Sequence, residues 1–151
     1  MARVNVGVNP MYLADQHLVA ESVEITMIVG SLRVNGYQIK GFKPEHYGLG
    51  KGHINFFKDK LIYLALRLYE VNQEMRRRGF KPGTNPDLLL KEPEQFLNDW
   101  VPELEDSMIV RRRIIEKMIK KPKGFWRYSR AKIGNIDTFV NDILISPVYF
   151  V

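Results

Sequence analysis

Apolar residues recur at helical spacing in three stretches of the chain. The clearest stretch runs from Ile54 to Arg78, and Gly79 stands directly after it, where a glycine commonly ends a helix. His53 is predicted to start this helix, and Phe56 and Phe57 to fill the core. The apolar positions three and four residues apart are Phe57, Leu61, Leu64, Leu68 and Val71. The pattern therefore predicts one long helix in the middle of the chain.

Two further helices are predicted, one on each side of it. Asn9 and Pro10 form a typical helix start, with asparagine as the cap and proline at the first helical position, and the pattern then runs to about Val29. A third helix is predicted from Ser107, which would cap it, to a stop at Pro122. Its apolar stripe consists of Met108, Ile114, Ile115, Met118 and Ile119.

The remaining segments are predicted to be mostly loops. Residues 30–52 contain six glycines and are expected to be irregular, and so long a segment should pack against the protein or bind something. Residues 80–106 contain four prolines and are expected to hold at most a short helical turn near 92–100. The pattern assigns no element to residues 133–151. The sequence predicts an all-α fold of three main helices with long connecting loops.

Length and composition exclude several classes of protein. A chain of 151 residues is expected to form a single compact domain with its own core. The absence of cysteine excludes disulfides, thiolate metal sites and cysteine nucleophiles, and it suits a reducing compartment. No segment approaches the roughly 18 apolar residues of a membrane span, and the start lacks the apolar core of a signal peptide. We expect a cytoplasmic protein with no targeting signal and no membrane partner.

The charge of the chain favours a polyanionic partner. Lysine and arginine outnumber aspartate and glutamate by 23 to 17, which gives a net charge of +6. The basic residues are dense in the third predicted helix and in the aromatic segment KGFWRYSRAK, residues 123–132. A solvated helix face would also be rich in charge, so composition alone leaves both interpretations open.

Several ordered segments resemble one family. They are MARVN, LADQHLVAE followed by Glu24, GHINFFKDKL, RRGF and RIIEKMIKKP. In this order they resemble the pyrimidine-dimer DNA glycosylases with AP lyase activity of T-even phages, the phage endonuclease V type, over about residues 1–132. The resemblance implies a monomeric all-α DNA repair enzyme that uses no metal and no cofactor. It also implies damaged double-stranded DNA as the partner, in a bacterial or phage-infected cell.

The resemblance implies a covalent amine mechanism. After removal of Met1, the α-amine of Ala2 would attack C1′ of the damaged nucleotide and form a Schiff base, and β-elimination would then break the strand. An α-amine, with a reference pKa of about 7.7 to 8.0, is partly neutral at pH 7. The family's usual threonine is alanine here, which keeps the nucleophile. Glu24 matches the family's essential glutamate and would stabilise positive charge at the sugar and carry protons.

The helix that carries Glu24 has one expected and one unexpected feature. His17, Glu21 and Glu24 fall on one face at 100° per residue, as a site would require, although a simple solvated face would look the same. Val23 and Met27 stand where the resemblance implies arginines that grip phosphates. Three accounts fit: the stripe is buried by a rotated helix, the lesion differs, or activity has decayed.

The resemblance also predicts a DNA-binding surface. Arg113 and Lys117 match family residues that face the DNA backbone, and their spacing of four places them on one side of a helix. Trp126 and Tyr128 match an aromatic cluster near the damaged site, although both are equally suited to the core. The predicted DNA-binding residues are Arg3, Gln16, His17, Arg113, Lys117, Trp126, Arg127 and Tyr128.

Two other classes of function fit the same residues. A non-catalytic protein that binds duplex DNA on this scaffold would explain Val23 and Met27. A structural protein whose basic face binds RNA is the other possibility. Competition between duplex DNA and RNA would separate these two classes.

Overall fold

The computed structural model describes residues 3–151 and is built mainly from helices, which confirms the predicted class. The helices are α1 (Asp15–Val34), α2 (His53–Phe57), α3 (Leu61–Arg77), α4 (Leu104–Lys120) and α5 (Ile136–Ile145). Short 3-10 helices occupy Pro10–Tyr12, Pro86–Lys91 and Glu94–Phe96. A short antiparallel hairpin, β1 (Arg127–Tyr128) and β2 (Ala131–Lys132), is an unpredicted addition. None of the helices in this part of the chain is long and apolar enough to cross a membrane.

The first helix begins later and ends later than predicted. Asn9 does act as a cap, but its side chain accepts from the backbone of one 3-10 turn, and α1 begins only at Asp15. At the other end, α1 continues through Gly30 to Val34. A single glycine costs a helix only about 1 kcal/mol. Leu32, which follows it, is fully buried and holds the last turn against the core.

The predicted second helix is divided in two. The break between α2 and α3 is stabilised by hydrogen bonds that are not part of the backbone ladder of either helix. The side chain of Lys60 donates from Nζ to the Phe56 carbonyl at 2.8 Å. The backbone N–H of Ile62 donates to the carbonyl of Asn98 at 3.2 Å, in a distant loop. The end of α3 is as predicted, because Gly79 has φ of +85° and closes the helix in the left-handed region.

Arg78 has a larger role than that of a cation near a helix end. Its guanidinium is buried and donates to Asp15 Oδ1 at 3.0 Å, to Glu74 Oε2 at 2.7 Å and to the Leu13 carbonyl at 2.8 Å. Arg78 joins the end of α3 to the start of α1.

The third predicted helix begins earlier, as α4, and Ser107 is not its cap. Glu103 caps it in a reciprocal pair with Asp106, whose carboxylate accepts from the Glu103 N–H at 2.8 Å. Ser107 is buried inside the helix, where its hydroxyl accepts from Arg111 Nε at 2.8 Å. The helix ends before Pro122, as predicted.

The unassigned C-terminal stretch folds onto the rest of the chain. It contains α5, so the expected three main helices become four substantial ones within residues 3–151. The buried Arg111 guanidinium donates to the carbonyls of Ile143 at 3.0 Å and Gly7 at 2.9 Å, and the Tyr149 N–H also donates to Gly7 at 2.9 Å. Gly7 has φ of +72°, and a Cβ there would lie 2.5 Å from that of Ser107. Only glycine fits this junction without displacing α4.

Candidate functional site

A cavity of about 620 Å³ lies between α1 and α4. Gln16, His17 and Ala20 of α1 line it, as do Phe125 and Trp126 from the segment after α4. Its cationic lining residues are Arg3, Arg113, Lys117, Lys120 and Lys121. The cavity brings together six of the predicted site residues, which are Arg3, Gln16, His17, Arg113, Lys117 and Trp126. The positive charge of its lining suits a polyanion.

His17 packs against Trp126 inside this cavity. The two ring centroids are 4.5 Å apart, with 31° between the planes. Both ring nitrogens of His17 are buried without a hydrogen-bond partner among the described residues. Burial lowers its pKa to about 4, and the charges of Arg113 and Lys117 act in the same direction. The imidazole is therefore neutral at neutral pH and keeps both its donor and its acceptor for a bound group.

Trp126 belongs to both the core and the cavity. Its side chain is 6% exposed, and the indole N–H donates to the Met118 carbonyl at 3.1 Å. Gln16 joins the same region to α1: its Nε2 donates to the Phe125 carbonyl at 2.6 Å, and its Oε1 accepts from the Arg127 N–H at 3.1 Å. These bonds fix the wall of the cavity.

Tyr128 and Arg127 lie elsewhere. The Tyr128 hydroxyl donates to the Met11 carbonyl at 2.8 Å and accepts from Arg77 Nη2 at 2.7 Å, and the Arg78 guanidinium lies 3.8 Å from its ring. Tyr128 does not line the cavity between α1 and α4. Arg127 lines a neighbouring, more apolar cavity of about 680 Å³.

Glu24 is buried in α1, about 10 Å along the helix from His17 at 1.5 Å per residue. The residue is 2% exposed, and its Oε1 has no hydrogen-bond partner among the described residues. Burial raises the pKa of Glu24, while the charges of Arg3 and Arg113 act to lower it. Glu24 is not among the lining residues of the cavity, but Arg3 lies in that lining and also within electrostatic range of the carboxylate.

Glu21 lies on the same face of α1 and is bound to structural partners. Arg67 donates from Nε to Oε2 at 2.6 Å and from Nη2 to Oε1 at 3.0 Å, and Asn5 Nδ2 donates to Oε1 at 2.8 Å. Glu21 and Arg67 are both fully buried. The interpretation of this stripe as a solvated face is therefore wrong. Arg67 was not among the predicted residues, and its only sequence signal is that it is a lone arginine within the apolar stripe of α3.

The predicted nucleophile, Ala2, lies outside the described residues. The chain just after it is well fixed: Arg3 donates to the carbonyl of Leu49 from Nε at 3.2 Å and from Nη2 at 3.1 Å. Val4, Val6 and Val8 are fully buried. The N-terminal segment is therefore part of the core from residue 4 onward.

Val23 and Met27 are exposed, by 53% and 56%. The account in which a rotated helix buries them is therefore wrong. With Thr26 and Thr84 they line a smaller cavity of about 200 Å³ between α1 and α3. A different lesion and decayed activity remain as predictions.

A family model described as pyrimidine dimer DNA glycosylase matches residues 1–87. The match extends from the N-terminus through α3 and covers more than half of the 151 residues. It includes Glu24 and His17, whereas α4 with its cations lies beyond it. The predicted family is confirmed over residues 1–87, and the part of the resemblance that lies beyond residue 87 stays a prediction.

Proposed function

The chain belongs to the pyrimidine dimer DNA glycosylase family, and we propose that it excises a damaged pyrimidine from duplex DNA and then cleaves the strand as an AP lyase. The observation that carries this proposal is Glu24, a buried carboxylate with one oxygen that has no hydrogen-bond partner among residues 3–151, close to the charges of Arg3 and Arg113. It would act as a monomeric single domain.

The proposed nucleophile is the α-amine of Ala2 after Met1 has been removed. Its nitrogen forms a bond to C1′ as the bond from C1′ to the base breaks, and the base leaves with that electron pair and takes up a proton. Opening of the sugar ring gives a protonated Schiff base. Loss of a proton from C2′ then expels the 3′ phosphate, which is the β-elimination step.

Glu24 would accept and return protons in this sequence. A carboxylate that is buried without full pairing holds its proton more tightly than one in water, so its pKa lies nearer to neutral pH. A group whose pKa lies near the working pH is an efficient general acid and base. The ionised form would also stabilise the positive charge that develops at C1′.

The cations of α4 would bind the DNA backbone. Arg113 and Lys117 line one side of the cavity, and the charge of Arg113 is the main cause of a lowered pKa at Lys117. Such crowding of like charges costs free energy in the free protein. A bound phosphate relieves this repulsion and releases counterions from the DNA, so binding should weaken steeply with salt.

His17 and Trp126 would form the wall against which an unstacked base or sugar rests. Enzymes that act on nucleotides commonly hold displaced bases against aromatic rings. The neutral imidazole of His17 offers one donor and one acceptor, which suits the edge of a base or a sugar oxygen. We propose this contact for Trp126 but not for Tyr128, whose hydroxyl is bonded to Met11 and Arg77.

Trapping of the Schiff base tests the proposal. Protein that starts at Ala2 is mixed with duplex DNA that contains an abasic site or a pyrimidine dimer, and borohydride is added. We expect a covalent protein–DNA complex from this protein and none from protein that retains Met1. Absence of any trapped complex on either duplex would contradict the enzyme.

The alternative is a non-catalytic protein that binds duplex DNA. It is favoured by Val23 and Met27, which expose apolar surface where phosphate-binding cations are expected. Under this alternative the protein binds a damaged duplex with salt dependence but forms no covalent complex. The trapping experiment, with a binding measurement beside it, separates the two.

A further inference from the structure

We infer that Tyr47 and His53 are positioning residues, which hold the backbone of Val4 so that the N-terminal amine stays at the reaction site. The inference rests on the proposed function, since the position of the amine matters only if the amine reacts. It also gives the glycine-rich segment between α1 and α2 a role.

Val4 is held through both of its backbone polar groups. The Tyr47 hydroxyl donates to the Val4 carbonyl at 3.2 Å, and His53 Nε2 accepts from the Val4 N–H at 3.4 Å. Val4 is fully buried, so water does not compete for these groups. Both partners lie more than 40 positions away along the chain. The contacts therefore fix the N-terminal segment to a separate part of the fold.

The side chain of Arg3 extends the same attachment toward the amine. Its guanidinium donates twice to the carbonyl of Leu49, which lies between Tyr47 and His53. The ends of a chain are ordinarily its least ordered parts, and a nucleophile is effective only when it is held close to its target. Contacts at residues 3 and 4 are the last described attachments before the proposed nucleophile.

The protonation of His53 suits this role. Nδ1 lies 2.8 Å from the carbonyl of Gly48, which can only accept, so Nδ1 carries the proton and donates it. Nε2 is then the bare nitrogen that can accept from Val4. Burial lowers the pKa of His53 to about 4, which keeps the ring in this neutral form at neutral pH.

Packing and backbone geometry fix the two side chains. The rings of Tyr47 and His53 lie 5.6 Å apart at 70°, and Phe57 packs edge-on against both. Gly52, just before His53, has φ of +88°, and a Cβ there would lie 2.6 Å from Pro44 Cδ. Glycine at this position lets the loop turn directly into α2, so the start of α2 places His53 beneath the N-terminal segment.

Tyr47→Phe tests the inference, with Tyr63→Phe as its matched control. The first change removes the hydroxyl that bonds Val4; the second removes a buried hydroxyl that has no partner among the described residues. Both are made in protein that starts at Ala2. The rate of Schiff-base trapping on an abasic duplex is measured in single turnover, together with the Kd for that duplex and the Tm. We expect Tyr47→Phe to lower the trapping rate about tenfold at unchanged Kd, and Tyr63→Phe to leave it unchanged.

Two variants of His53 give an independent readout. His53→Phe keeps a ring but removes the acceptor, and we expect a similar loss of trapping rate. His53→Gln restores a polar atom at about the reach of Nε2, and we expect part of the rate to return. If His53→Phe does not fold, the comparison of Tyr47→Phe with Tyr63→Phe decides alone.

The outcomes separate this inference from the proposed function. If wild-type protein traps DNA and Tyr47→Phe traps it at the same rate, positioning by Tyr47 is wrong. Equal losses of rate and Tm in Tyr47→Phe and Tyr63→Phe would also overturn it, since they would indicate a role in stability alone. If wild-type protein forms no trapped complex, the proposed function itself fails.

Discussion

Two glutamates on the buried face of α1 stand in opposite surroundings. Glu21 shares its two oxygens with Arg67 and Asn5, and all of these contacts are buried. Glu24, one turn further along, has one oxygen without a hydrogen-bond partner in the described part of the chain, and it lies within electrostatic range of cations that line an open cavity. The first carboxylate is fixed by its hydrogen bonds to these partners, whereas burial raises the pKa of the second. One helix therefore carries a structural carboxylate and the proposed catalytic carboxylate three residues apart.

The largest expected effect is the loss of strand cleavage on substitution of Glu24. Glu24→Gln keeps the shape of the side chain but removes its proton exchange, so we expect strand cleavage to slow about 10²- to 10⁴-fold. Affinity for the duplex should change little. Glu116→Gln is the matched control, because Glu116 is an exposed carboxylate in the lining of the cavity. Single-turnover cleavage and a binding titration measure both quantities. Equal loss of cleavage and binding would indicate that Glu24, like Glu21, has a structural role, and the two glutamates would then not differ in function.

Substitution of Glu21 is expected to lower the free energy of unfolding. Glu21→Ala leaves the Arg67 guanidinium buried without its main partner, and loss of one member of a buried ion pair costs about 3 to 5 kcal/mol. Urea denaturation measures the free energy of unfolding. Asp87→Ala, at an exposed turn, serves as the control and should change it by less than about 0.5 kcal/mol. A small effect at Glu21 would mean that the pair contributes little to the fold.

The cations of the open region are expected to control binding rather than stability. Lys117→Ala should weaken duplex binding for all sequences and should reduce the slope of log Kd against log salt by about 0.9. Arg76→Ala, an exposed cation on α3 far from the cavity lining, is the control and should leave the slope unchanged. Titrations at several salt concentrations measure it. An identical slope in both variants would remove α4 from the interface.

The smallest expected effect is on the pH dependence of stability. Because burial raises the pKa of Glu24 in the folded protein, the folded state favours the protonated carboxyl. This contribution is fully present below the unfolded pKa and is lost as pH rises through the folded value. We therefore expect Glu24→Gln to raise the Tm at neutral pH and the gain to disappear in acid. A gain that is independent of pH would show that ionisation is not its cause.

Much of the fold is predictable from local pattern, because helix ends and apolar periodicity are local. Gly79 ends α3 as its position predicts, and the stripe of α3 is buried. Glu24 was found through its place in an ordered set of family segments. The break at Lys60 depends on Asn98, which lies far along the chain, and no local pattern could reveal it.

The parts that sequence could not supply are contacts between distant polar residues. Arg67 sits among apolar positions, where a charged side chain is ordinarily expected to face solvent, and its partner Glu21 lies 46 positions away. The positioning contacts of Tyr47 and His53 have the same character. Local periodicity reports which face of a helix is apolar, but it does not report which polar group on another element will be met there.

The contacts of Arg111 determine when the N-terminal segment can complete its fold during synthesis. Its one guanidinium donates to the carbonyl of Gly7, 104 positions earlier in the chain, and to the carbonyls of Ile143 and Pro147, 32 and 36 positions later. While the chain is being made, the N-terminal segment emerges first but lacks this junction until residues 143–147 have also been made. Loss of the final ten residues would leave a buried charge with too few acceptors. The fold of the N-terminal segment around Gly7 is therefore complete only when residues 143–147 are in place.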